Sequence, residues 1–217
     1  MNASRTDRRR QHGYTLIESV IAVTLLGLVI GSITMVGRAH ERAYHTAATA
    51  SQLEAQAALA MERIMTDLRI AARESITPDP GAVGTAGVQY VQAVGIALGE
   101  VELSPLRAVR FEYELGEIDD GIDNNGNGLV DEGRVVLIEN LGEPNERTRV
   151  ITRWVRELSG GEQDNGLDDN GNGLVDEPGF VLRRVDETLI VRLTLERRDV
   201  EGRTMSRTAQ TSIRPRN

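Results

Sequence analysis

The stretch Gly-Tyr-Thr-Leu-Ile-Glu at residues 13–18 is preceded by three arginines at residues 8–10 and followed by an almost unbroken apolar run over residues 20–36. A run of this length predicts a helix that can enter a bilayer, with the arginines on the cytoplasmic side. Glu18 lies inside this apolar region, where an ionised carboxylate is costly unless it has a partner. The sequence therefore predicts a membrane helix with an acid that needs a counter-charge.

The same stretch resembles the class III leader of type IV pilins and pseudopilins, whose core is Gly, an aromatic residue and then Thr-Leu-Ile-Glu. The resemblance covers about the first fifth of the chain. It implies that a prepilin peptidase cuts between Gly13 and Tyr14 and methylates the new amine of Tyr14, where Phe is the usual residue. It also implies that Glu18 attracts the N-terminal amine of a neighbouring filament subunit. The physics agrees, because a carboxylate that meets an ammonium recovers much of its desolvation cost.

Two other interpretations of this segment remain open. An ordinary secretory signal peptide has a basic start and an apolar core, and residues 37–39 offer a small-x-small cleavage site. Its apolar core would be unusually long, however, and Glu18 would be unexpected inside it. A plain single-span anchor is compatible with the arginines but leaves Glu18 unexplained.

The chain length of 217 residues predicts one membrane helix and one globular domain. We expect a leader at residues 1–13, a transmembrane or filament-core helix at 14–37, an amphipathic continuation of that helix at 38–76 and a periplasmic β-rich domain at 77–217. Loss of the leader removes four Arg and one Asp, which changes the formal net charge from −8 to −11. Such a charge repels phosphate backbones, so no nucleic-acid partner is expected.

Hydrophobic periodicity predicts how the second half of the long helix packs. No Pro occurs from residue 14 to about residue 75, and a Pro-rich segment at residues 77–81 then ends the helix. Apolar residues recur every three or four positions on one face, which we expect to lie on a sheet. This stripe consists of Leu53, Ala57, Met61, Ile64, Leu68 and Ala72.

Strand-like runs follow the helix. A short element is expected around residues 88–98, and six strands are predicted at residues 106–115, 134–141, 148–158, 180–185, 188–197 and 203–213. A helix followed only by strands predicts an α+β fold with the helix on an antiparallel sheet. The resemblance implies the same arrangement, a pilin-like fold.

Two acidic loops repeat within the predicted sheet. Residues 119–132 and 164–177 align at an offset of 45 with 11 of 14 positions identical. Both loops carry side-chain oxygens at alternate positions and Gly at the sixth, which resembles the calcium loops of EF-hands, dockerins and thrombospondin-type repeats. The candidate ligands are Asp123, Asn125, Asn127, the Leu129 carbonyl and Asp131 in the first loop, and Asp168, Asn170, Asn172, the Leu174 carbonyl and Asp176 in the second.

Both loops depart from the EF-hand at position 12, where the bidentate Glu is replaced by Arg134 and by Gly179. Turn-rich surface loops without metal are the alternative, since Asn, Asp and Gly favour turns. If calcium binds, we expect two structural sites with dissociation constants of roughly 0.1–1 mM. No flanking helix is expected, and a simple meander would bring both loops to one end of the sheet. The oxygens that the position-12 glutamate supplies in an EF-hand could here come from Glu132 and Glu177, or from Asp119, Asp120 and Asp164.

Catalysis is not expected, because the chain has no Cys and no P-loop, and its three His lie in the leader and the helix. Residues 59–71 resemble the corresponding helix end of J-type pseudopilins and W-type minor pilins, and residues 213–217 resemble the latter. The resemblance implies a structural subunit that is processed by prepilin peptidase, anchored in the inner membrane and joined to other pilins or pseudopilins. A calcium-stabilised adhesive module on a plain anchor is the rival from another class.

Overall fold

A computed structural model describes residues 15–81, 83–97 and 99–215. The chain divides into two compact units, residues 1–44 and 45–217, and the helix α1 (Leu16–Arg69) contributes to both. In the first unit α1 is long and apolar enough to cross a membrane, and no part of its most apolar segment is buried. Its large side chains are exposed throughout this unit, as a helix that functions in a lipid or filament environment requires.

In the second unit, the rest of α1 packs on antiparallel strands. A 3₁₀ turn covers Arg73–Ser75, and the strands are β1 Gly87–Tyr90, β2 Ala93–Ala97, β3 Glu100–Leu103, β4 Arg107–Tyr113, β5 Gly133–Glu139, β6 Arg147–Val155, β7 Phe180–Val185, β8 Thr188–Arg198 and β9 Thr204–Ile213. The main sheet has the order β1-β4-β5-β6-β8-β7, and β9 also pairs with β8. The predicted α+β class is therefore confirmed, whereas the order of β7 and β8 departs from a simple meander.

The core lies between α1 and one face of the sheet. The helix buries Leu53, Ala57, Ala60, Met61, Ile64 and Leu68 against strand residues that include Val109, Val135, Phe180, Leu193 and Ile213. A smaller apolar cluster of Ala108, Val136 and Ile138 lies elsewhere in the sheet. The predicted helical stripe is confirmed as far as Leu68.

The predicted helix end near residue 75 is wrong, since α1 ends at Arg69. The next backbone segment pairs with the chain around β1, because Ala71 forms a bridge with Gln92 and Thr77 forms one with Gln89. The Ser75 hydroxyl accepts the Val91 N–H at 3.0 Å. These contacts replace the last helical hydrogen bonds, so Ala71 is buried in the place expected for Ala72.

The expected short element around residues 88–98 is two strands. β1 joins the main sheet through β4, whereas β2 pairs with β3 in a separate hairpin. Gly87 allows this close pairing, because a Cβ there would lie 2.5 Å from the Arg110 side chain. β3 was not predicted, since it is only four residues long and buries neither face.

Candidate functional site

The two acidic loops lie next to each other at one end of the sheet. The first loop, residues 119–132, connects β4 to β5, and the second, residues 164–177, connects β6 to β7. A cleft of about 660 Å³ is lined by Asp119 and Asp131 from the first loop and by Asp164 from the second. The expectation of adjacent loops is thus met, although the sheet is not a simple meander. Strands flank both loops, as expected.

The two loops have the same backbone conformation. Asp131 and Asp176 adopt φ values of 50° and 46°, which are unusual for residues with a Cβ. Positive φ values also recur at matched glycines: Gly116 and Gly161, Gly121 and Gly166, Gly126 and Gly171, Gly128 and Gly173. The repeat seen in the sequence is therefore a repeat of local structure.

The first aspartate of each motif organises its loop. Asp123 Oδ1 accepts the Gly126 N–H at 2.6 Å, and its Oδ2 accepts the Gly128 N–H at 2.7 Å. Asp168 makes the matched bonds to Gly171 and Gly173 at 2.7 and 2.8 Å. This network winds the following residues around the carboxylate, as in loops that wrap a cation.

Two asparagines and one glutamate converge in the first loop. Asn125 Nδ2 donates to Glu132 Oε1 at 2.9 Å, and Asn127 Nδ2 contacts the same oxygen. Glu132 is completely buried, and its Oε2 accepts no hydrogen bond from any part of the chain that the structure describes. The oxygens of the same two amides accept the N–H groups of Asn127 and Leu129. The loop therefore brings two amide groups and a buried carboxylate to one point, where a cation could bind.

The second loop repeats this convergence. Asn170 and Asn172 donate to Glu177 Oε1, and Glu177 Oε2 is buried and also accepts no hydrogen bond within the described ranges. Buried carboxylate oxygens without donors are costly unless a cation compensates them. The donor set in both loops is entirely oxygen, which suits calcium.

Other predicted ligands serve different contacts. Asp131 Oδ2 accepts the Gly121 N–H at 2.7 Å, and Asp176 Oδ2 accepts the Gly166 N–H at 2.8 Å. Asp120 Oδ1 accepts the Ile122 N–H at 3.0 Å, so it closes a local turn. The N–H groups of Leu129 and Leu174 donate to Asn127 Oδ1 and Asn172 Oδ1, which fixes the backbone at the predicted carbonyl ligands.

Two buried glutamates were not identified from the sequence. Glu117 Oε1 accepts the Asn125 N–H at 2.7 Å, and Glu162 Oε1 accepts the Asn170 N–H at 3.0 Å. They hold the two loops from outside the aligned 14 residues. The repeat extends upstream through Gly116-Glu117 and Gly161-Glu162, so a longer alignment would have found them.

The first loop also lies in a strongly acidic environment. Carboxylate oxygens of Asp119, Asp131 and Glu157 lie within 4.8 Å of one another. Burial raises the pKa of Glu157, and the charges of Asp119 and Asp131 add to this effect, while a hydrogen bond from Tyr113 opposes it. Tyr113 donates this bond to Glu157 Oε1 at 2.9 Å. The arrangement concentrates negative charge on the side of the cleft that faces the first loop.

At the N-terminus, Gly13 and Tyr14 lie outside the described residues. Glu18 is exposed in the first turn of α1, and its N–H donates to Thr15 Oγ1 at 3.3 Å. This bond is one half of a capping box, in which Ser or Thr precedes Glu by three residues. The backbone of Glu18, and not its carboxylate, makes this contact at the helix start.

Comparison with protein-family models matches residues 8–34 to the prokaryotic N-terminal methylation motif. No curated protein and no solved structure has significant similarity to this chain. The matched segment contains Gly13, Tyr14 and Glu18 and continues into the exposed apolar part of α1.

Proposed function

Because this chain is a type IV pilin-like protein, we propose that it is a minor pseudopilin, a structural subunit in the tip or initiation complex of a type II secretion pseudopilus. The observation that carries the proposal is the methylation motif that continues into a membrane-length helix whose apolar side chains are exposed. A helix of this kind can lie in a bilayer before assembly and in a filament core afterwards. The proposed role is structural and not enzymatic.

In this proposal, residues 1–13 lie in the cytoplasm and are removed by a prepilin peptidase of the inner membrane. Tyr14 then carries the methylated amine, and Glu18 pairs with the amine of a neighbouring pseudopilin. The β-rich unit faces the periplasm. A minor pilin of a type IV pilus is the closest alternative, since residues 59–71 resemble both J-type pseudopilins and W-type minor pilins and residues 213–217 resemble the latter.

Calcium binding to the two loops is the second part of the proposal. Its support is one buried carboxylate oxygen of Glu132 in the first loop and one of Glu177 in the second, each beside two asparagine amides. Neither oxygen accepts a hydrogen bond from the residues that the structure describes. Bound calcium would compensate these carboxylates and hold the loops in their repeated conformation. Its function would be structural, since the loops connect strands and not mobile helices.

Processing tests the first part. Co-expression of the full chain with a prepilin peptidase is expected to yield a product that lacks residues 1–13 and carries one added methyl group. Intact-protein mass spectrometry measures both changes, and a Gly13→Val variant is the control that should stay uncut. An intact wild-type N-terminus would favour a calcium-binding adhesive module on a plain anchor, and cleavage after Ala39 would indicate a signal peptide. In the native host, a deletion that abolishes protein secretion but spares surface pili separates a pseudopilin from a minor pilin.

Metal removal tests the second part. At about one hundred times the dissociation constant, calcium stabilises a site by about 2.7 kcal/mol. For a unit of this size, the midpoint of thermal unfolding is then expected to be about 5–10 °C higher in calcium than in chelator. The full chain in detergent is used, with magnesium as the control, because magnesium gives up its water reluctantly. Equal midpoints in calcium and chelator would contradict calcium binding at structural sites.

A further inference from the structure

The two loops share one backbone conformation but differ in the charges that surround their buried glutamates. We infer that the first loop is the tighter calcium site and fills first, whereas Arg192 already neutralises the second loop and weakens calcium binding there. This inference rests on the proposed binding of calcium to both loops. It assigns Arg192 as the residue that makes the two repeats unequal.

At the second loop, the guanidinium of Arg192 on β8 forms an ion pair with the buried carboxylate. Arg192 Nη1 donates to Glu177 Oε1 at 2.6 Å, and the two side chains are 17% and 2% exposed. Arg192 is fixed by its place in β8, where it pairs with Val181 of β7, and its Nε donates to Gln210 Oε1 at 3.3 Å. A carboxylate that is paired with Arg in a buried position is largely compensated. A calcium ion that binds at Glu177 must therefore share this carboxylate with the guanidinium or displace the guanidinium from it.

In the first loop, no arginine within the described ranges forms an ion pair with Glu132. Two arginines on the neighbouring strands face Glu114 instead, with Arg153 Nη1 at 3.2 Å and Arg134 Nη1 at 3.8 Å from its Oε1. Glu114 has Ser159 as its counterpart 45 residues later, so the second loop offers no competing acid at that position. Glu132 is left with two neutral amide donors. The guanidinium of Arg198 packs against Gly128 of this loop but forms no ion pair with Glu132 among the described residues.

The acidic trio beside the first loop strengthens this difference. Asp119, Asp131 and Glu157 lie close together, and the residues described at the second loop contain no matching trio. The counterparts of Asp119 and Asp131 are Asp164 and Asp176, and no third carboxylate joins these two among the described residues. Clustered like charges near a binding point increase its attraction for a cation.

Calorimetric titration of the full chain with calcium, in detergent and after removal of bound metal, tests the inference. The wild type is expected to bind calcium in two steps whose dissociation constants differ by about tenfold or more. Glu132→Gln should remove the tighter step, and Glu177→Gln should leave it. If the wild type binds one ion only, loss of that ion in Glu132→Gln supports the inference and loss in Glu177→Gln overturns it.

Arg192→Gln provides the sharper test, since unfolding cannot produce a gain of affinity. This variant is expected to tighten the weaker step by about tenfold. Arg184→Gln is the matched control, because Arg184 lies on β7 but pairs with Asp79 away from both loops. The inference would be wrong if the wild type bound two calcium ions with equal dissociation constants. It would also be wrong if Arg192→Gln and Arg184→Gln had the same dissociation constants for calcium. Either result would leave the proposal that the loops bind calcium intact. Absence of calcium binding in every variant would refute the metal proposal as well, and the processing assay would still test the filament proposal.

Discussion

A Glu18→Gln variant is expected to be synthesised, cleaved and inserted like the parent, yet to enter filaments at least about tenfold less efficiently. The reason is that an amide cannot pair with the charged amine of a neighbouring subunit, so that amine loses its partner in a low-dielectric environment. The measurement is the fraction of processed protein that is recovered in filaments relative to the membrane. Glu41→Gln is the control, since Glu41 is an exposed acid on the same helix.

The comparison of Gln with Leu tests whether the charge of Glu18 is needed. The bond to Thr15 Oγ1 comes from the backbone N–H of residue 18, so Glu18→Gln and Glu18→Leu both keep it. Both variants remove the charge, and only Gln keeps a polar side chain of the kind that completes a capping box. Equal loss of assembly in the two variants would assign the defect to the charge. Normal assembly of Glu18→Gln together with failure of Glu18→Leu would show that a polar side chain suffices and would refute the amine-pairing role.

Arg107→Met is expected to lower the free energy of unfolding of the β-rich unit by about 3 kcal/mol. Arg107 Nη2 lies 2.9 Å from Asp67 Oδ1 and 3.0 Å from Glu139 Oε1, and all three side chains are largely buried. Met fills similar space but leaves both acids without this cation. For a unit of this size, the midpoint of thermal unfolding should fall by roughly 6–12 °C.

Arg110→Met on the same strand is the matched control. Arg110 is half exposed and pairs with Glu112, so its loss should cost about 0–1 kcal/mol. Adding Asp67→Asn to Arg107→Met should recover part of the loss, since the introduced amide would carry no unpaired charge while Tyr90 could still donate to its oxygen. Equal midpoints for Arg107→Met and Arg110→Met would show that the buried cluster adds no more than a surface pair.

The long helix and most strands could be predicted because their signals are local. Helical spacing identified the buried stripe through Leu68, and the predicted bounds of β7 match the structure. The end of α1 could not be predicted in this way. Its last residues have good helix propensity, but pairing of Ala71 and Thr77 with the chain around β1 overrides it. The hairpin strand β3 was missed because it buries neither face.

In the candidate site too, residues that lie close together in the sequence could be predicted as a group, whereas a contact between residues far apart in the sequence could not. The repeat predicted Asp123, Asn125 and Asn127 as a group, and the structure brings both asparagines to Glu132. Arg192 could not be found from the loop pattern, because it lies 15 residues after Glu177 on another strand. Only the β7–β8 register places it against that carboxylate. The difference between the two loops is therefore a property of the fold and not of the repeated motif.

The pairing between β6 and β8 has a consequence for solubility. Only Val155 and Leu195 pair between these strands, and Trp154 beside them adopts a φ of 59°, so most of β6 runs without β8 as a neighbour. Strand edges of this kind can recruit another chain and start fibrous aggregates. Arg149 and Arg153 are more than half exposed along this part of β6. Like charges on approaching copies repel each other, which protects crowded molecules from edge-to-edge aggregation.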